Sequence, residues 1–83
     1  MDLRELFATN LRRLRHERGL SQDDLAYAAE VSRGYLSQLE KGVFYASLKI
    51  IGRLAEALQV EPAELLRLTY GSIPPPEPGA PKT

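Results

Sequence analysis

Two helix start signals stand eleven residues apart in this chain, and that spacing limits its architecture more than any other feature. In GLSQDDL, the Ser21 hydroxyl can accept from free backbone N–H groups at a helix start, and Asp24 sits three residues on, as in a capping box. Leu20 before the cap and Leu25 at the fourth helical position form a hydrophobic staple. EVSRGYL repeats the device, with Ser32 as cap and Val31 stapled to Leu36. Between the two signals there is room for about two turns of helix and a tight turn. That is helix-turn-helix spacing.

The flanking sequence is helical in period and shows no strand-like alternation. Helix 1 is predicted from about Leu3 to Arg18, with Asp2 as cap and Gly19 as stop. Its apolar stripe is Leu3, Leu6, Phe7, Leu11 and Leu14, with Arg15 at the edge. Helix 3 ends at Gly42. Helix 4 follows the Ser47 cap to about Leu58 and is expected to bury Leu48, Ile51, Leu54, Ala55 and Leu58. Pro62 suits the first position of a helix 5 carrying Leu65, Leu66 and Leu68. The expectation is an all-α, five-helix domain over residues 1–70. The remaining segment, GSIPPPEPGAPKT (residues 71–83), has five prolines and one large apolar residue, and is expected to be a disordered tail.

Composition narrows the functional classes. Without cysteine, neither disulfides nor cysteine-ligated metals can hold the fold. MDLRELFATNLRRLR is interrupted by charge every few residues, so it is neither a signal peptide nor a membrane span, and a cytoplasmic protein is expected. Eleven basic residues balance eleven acidic ones, which argues against coating a polyanion by net charge alone and leaves a local basic patch open. Arg12, Arg13, Arg15 and Arg18 read most simply as a solvated helix face. His16, the sole histidine, faces away from the apolar stripe and has no partner for a metal. There is no nucleophile–base pair, phosphate-cradling glycine loop or catalytic carboxylate pair. No enzyme, metal, cofactor or small-molecule substrate is expected.

Helix 3 carries the most informative surface. On a helical wheel Arg33, Gly34, Ser37, Gln38 and Lys41 share an arc of about 140°, opposite Leu36 and Leu39. Tyr35 and Glu40 stand at its two borders. The arc holds donors and small residues and no carboxylate, which fits approach to a polyanion. Arginine can bond guanine in bidentate fashion and glutamine can bond adenine. Arg33 and Gly34 lie in the first turn, where a recognition helix points at base edges, and a helix N-terminus favours nearby phosphate.

From Leu11 to Leu66, the pattern NLRRLR, GLSQDDLA, VSRGYLSQLEKG, LAEAL and EPAELL resembles the helix-turn-helix domain of the lambdoid phage repressors, Cro and the wider xenobiotic-response-element family of regulators. DDLAY followed by SRGYLSQLE is also similar to restriction–modification controller proteins. The resemblance implies that Gln22 holds a phosphate, and that Arg33, Ser37 and Gln38 meet base edges. It implies backbone or adjacent-base contacts for Tyr35 and Lys41, with Ser32 and Gly34 beside them. It further implies a structural ion pair between Arg15 and Glu40 that orients helix 3. Removing one partner of such a pair is expected to cost about 3 kcal/mol.

The chain departs from the family in four places. Glu30 occupies a turn where glycine is usual, and a left-handed backbone there would cost about 1 kcal/mol unless the turn is of another type. Gln59 replaces a usual glycine or asparagine after helix 4. Gly34 leaves one reading position without a side chain. The loop Val43-Phe44-Tyr45-Ala46 lacks the polar or basic residues that grip the DNA backbone in the family. Phe44 there is expected to fold onto the core, or else to form an apolar patch for a partner.

These readings converge on a homodimeric, sequence-specific regulator that binds double-stranded DNA, its dimer contact formed by Ile50, Leu66, Leu68 and Tyr70. No ligand domain follows the helices, so control by concentration or by a protein partner is expected. The competing class is a protein-interaction module on the same fold, such as an antitoxin that grips its partner through Val43, Phe44 and Tyr45 or the proline-rich tail.

Overall fold

Each α-helix in the computed structural model begins at a side-chain cap, and the structure describes residues 2–68. Helix α1 spans Leu3–Glu17, α2 Gln22–Ala29, α3 Arg33–Glu40 and α4 Leu48–Leu58. The Asp2 carboxylate accepts from the Arg4 backbone N–H at 2.9 Å. The Ser32 hydroxyl accepts from Tyr35 at 3.1 Å and that of Ser47 from Ile50 at 3.2 Å. Ser21 and Asp24 form a complete capping box, with the shorter aspartate reaching the Ser21 N–H at 3.1 Å.

The four helices also end alike. In each, two N–H groups past the end reach back to the last turn, as Val31 does to the Ala26 carbonyl and Glu30 to that of Tyr27. This is the Schellman arrangement, and it needs a left-handed residue. Gly19 and Gly42 supply it after α1 and α3, with φ of 68° and 75°. After α2 and α4 the same conformation falls on Glu30 (φ 59°) and Gln59 (φ 58°), so the turn at Glu30 is the left-handed one. Val31 and Val60 follow and pack on the core, so burial of the next residue holds the strained position in place.

Leu11, Leu25, Leu36, Leu39, Leu54, Leu58 and Leu65 are fully buried and hold all the elements around one centre. Full burial of a leucine contributes roughly 1.5–3 kcal/mol. α2 packs on α3 and α4, and α1 packs on α3 and on the C-terminal turn. The polar arc of α3 is thereby turned outward.

Three expectations need correction. The fifth helix is a short 3-10 turn, Pro62–Leu66, so the fold has four α-helices among the described residues. Pro62 starts it, but Arg67 is already extended (ψ 134°) and the buried Asn10 side chain donates to the Leu65 and Arg67 carbonyls at 3.1 and 2.7 Å. That clamp favours a tight turn leading into extended chain. Leu48 is 86% exposed, because side chains tilt toward a helix's N-terminus and the first residue of α4 overhangs the core; Leu3 is exposed at the start of α1 for the same reason. The arginine run is not a plain solvated face either. Arg18 donates to the Leu58 and Gln59 carbonyls at 2.7 and 3.1 Å, satisfying the end of α4, and Arg13 bridges Asn10 and Glu17. Tyr70 and the proline-rich residues 71–83 lie outside the described residues.

Candidate nucleic-acid interface

Helix α3 is the shared wall of the helix-turn-helix, and its placement rests on Glu40 at its C-terminal end. Glu40 is only 4% exposed. Its carboxylate accepts from Arg15 Nε at 2.6 Å and Arg15 Nη2 at 3.1 Å, a two-pronged pair tying α1 to α3. Arg15 Nη1 donates to the Leu20 carbonyl at 2.9 Å, which brings in the chain just before α2. Arg12 donates to the Glu40 backbone carbonyl, covering the end of α3 with positive charge. Burial alone would raise the Glu40 pKa, but the hydrogen bonds from Arg15 and Gln22 and the charges of Arg15 and Arg12 outweigh it and hold it below its ordinary value.

Gln22, at the start of α2, donates through Nε2 to Glu40 Oε1 at 3.0 Å. A carboxylate only accepts, so this bond fixes which way the Gln22 amide faces. One amide hydrogen is used and the second remains for another acceptor.

The outward arc holds the residues singled out from sequence. Arg33, Gly34 and Lys41 are exposed, and Ser37 and Gln38 are half-buried. The Ser32 hydroxyl oxygen accepts the cap N–H of Tyr35, which leaves its O–H to donate. Beyond its chain neighbours and the helix's own adjacent backbone, a methyl group added at Gly34 would meet no described atom within 4 Å. The first turn of α3 has no acid of its own, yet the arc is not acid-free in space: Asp23 of α2 lies 3.5 Å from Arg33 Nε. Both partners are mostly exposed, so the pair is weak and either can be drawn away.

Tyr35, half-buried, stacks on Phe44 of the following loop, with ring centroids 6.1 Å apart and planes at 22°. Phe44 is therefore neither folded into the core nor free: it is 46% exposed, with one side against Tyr35. Tyr45 lies beneath the Arg4 guanidinium, 5.0 Å from its ring centre. Val43 is exposed beside them. Ile50 is half-buried, while Leu66 and Leu68 are exposed, and Leu66 lines an apolar pocket together with Phe44 and Tyr45. Three contacts were missed from sequence: Asn10, Arg18 and the Gln22–Glu40 bond. Asn10 had a signal, since it stands on the apolar stripe four residues from both Leu6 and Leu14.

Among the described residues no helix is long and apolar enough to cross a membrane, and no three His, Cys, Asp or Glu side chains cluster as metal ligands.

A helix-turn-helix domain family profile matches residues 6–68. The chain is 39% identical over 69 residues to the HTH-type transcriptional regulator y4dJ of Sinorhizobium fredii, covering 83% of this chain and 90% of that protein. It is 35% identical over 69 residues to the control protein C.BamHI of Bacillus amyloliquefaciens, covering 82% and 85%. Its fold is similar to the crystal structure of the restriction–modification controller protein C.AhdI from Aeromonas hydrophila, with TM-score 0.73, 42% identity, and coverage of 75% and 94%. The chain belongs to the helix-turn-helix family of DNA-binding transcriptional regulators of the xenobiotic-response-element type.

Proposed function

We propose that this regulator binds double-stranded DNA as a homodimer on a two-fold operator in the bacterial cytoplasm, with α3 in the major groove. The observation that carries the reading is the outward arc of α3, where Arg33, Gly34, Ser37, Gln38 and Lys41 share a face opposite two fully buried leucines. Arg33, Ser37 and Gln38 meet base edges in this reading. Lys41 and the second amide hydrogen of Gln22 meet phosphates, beside the positive end of α2. Similarity to two proteins named as controllers supports the same reading.

A single such helix reads too few bases to be selective, and two copies reading half-sites about 10 bp apart remove that limit. The exposed Leu66 and Leu68 and the half-buried Ile50 suit the contact between copies.

Duplexes selected from a random pool by the purified chain provide the test. The selected sites should be two-fold symmetric, and log affinity should fall linearly with log salt, at about 0.9 per phosphate contact. Arg33→Ala should lose roughly 1–3 kcal/mol and relax preference at one base pair per half-site, while Lys41→Ala weakens all duplexes alike. Absence of binding at about 50 mM salt would end the DNA reading.

A further inference from the structure

The loop after α3 places three apolar side chains, Val43, Phe44 and Tyr45, at the surface next to the polar arc. It is not a loose flap. The Val43 N–H donates to the Gln38 carbonyl at 3.1 Å, and Arg4 from α1 covers the Tyr45 ring. Phe44 also lines an apolar pocket together with Leu3, Phe7, Ile51 and Leu66.

Tyr35 stands at the border of the arc, two residues after Arg33. Its backbone is fixed by the Ser32 cap, which leaves only its side-chain torsions to decide where the ring points. The separation of 6.1 Å and angle of 22° to Phe44 lie within the range of favourable offset stacking. Stacking on a ring carried by a loop tied back to α3 restricts those torsions before any ligand arrives. A side chain ordered in advance does not have to be ordered on binding.

We propose that Phe44 is a positioning residue for DNA reading: its ring holds Tyr35 at the edge of the α3 arc and fixes the way Tyr35 meets nucleic acid. The loop therefore acts through the reading helix. This inference rests on the DNA reading of α3 given above.

The test uses the full chain and its selected duplex. Phe44→Leu keeps apolar volume in the pocket and removes the stacking ring, and should lower affinity by roughly 2- to 10-fold. Phe44→Tyr keeps the ring and should restore affinity. In a Tyr35→Ala background the Phe44→Leu loss should disappear, because its target is gone. In the free wild-type chain, nuclear magnetic resonance should show cross-relaxation between the Tyr35 and Phe44 ring protons, a readout that needs no variant to fold. Unchanged affinity in Phe44→Leu, an undiminished loss in the Tyr35→Ala background, or absent ring cross-relaxation would each overturn the proposal. A wild-type chain that binds no duplex defeats the DNA reading itself, whereas a wild-type chain that binds while Phe44→Leu matches it defeats this inference alone.

Discussion

Helix α3 is held toward α1 by ions and toward the 43–46 loop by rings, and the two contacts differ in burial as much as in chemistry. Glu40 is 4% exposed and accepts from Arg15 and Gln22, while Phe44 is 46% exposed and touches Tyr35 through a ring face. Charges out of water are costly to separate, because a stranded carboxylate or guanidinium has no replacement partner. A half-exposed ring gives up only modest surface energy when it is cut away. The ionic contact therefore sets where α3 lies, and the aromatic one adjusts what its surface presents.

Breaking the ionic contact should have the largest effect. Arg15→Ala strands the Glu40 carboxylate and should reduce stability by about 3 kcal/mol in urea unfolding. A loss below that of Phe44→Ala would reverse the ranking.

Acid should act on the same contact. Because the folded Glu40 pKa lies below its ordinary value of 4.5, the unfolded chain takes up the proton first. The stabilisation is complete above the ordinary value and is lost as pH falls through the lower, folded one. Glu40→Gln should remove this component from the pH profile of stability, and the Tyr35–Phe44 stack should contribute none of it.

Asn10→Ala should come next, at about 1–3 kcal/mol, since the carbonyls of Leu65 and Arg67 would lose their buried donor. Phe44→Ala should cost about 1 kcal/mol or less in thermal unfolding, because much of the ring is already in water. Last, Glu30→Gly should be stabilising by up to about 1 kcal/mol, by relieving its left-handed backbone. The glycine also loosens the unfolded chain, which offsets part of the gain.

Local rules made much of this fold legible. Ser21, Ser32 and Ser47 announce helix starts because a cap and its N–H partner lie within three residues of each other. The leucine period locates the core for the same reason. Contacts that depend on how helices cross are less legible. Gln22 and Glu40 are eighteen residues apart, and Arg18 reaches the end of α4 only after the whole domain closes. Leu48 misled because a wheel records direction around a helix and not overhang at its end. The 3-10 turn misled because Pro62 marks where a helix starts, while the Asn10 clamp that accompanies its early stop comes from α1.

The vacancy beside Gly34 bears on how proteins of this kind diverge. Among the described residues, nothing beyond its chain neighbours and the helix's own adjacent backbone lies within 4 Å of where a methyl group would stand, so the interior places no demand on that position. On helix propensity alone, alanine would strengthen α3 by about 1 kcal/mol. Descendants can thus trial small side chains there while the scaffold beneath stays intact.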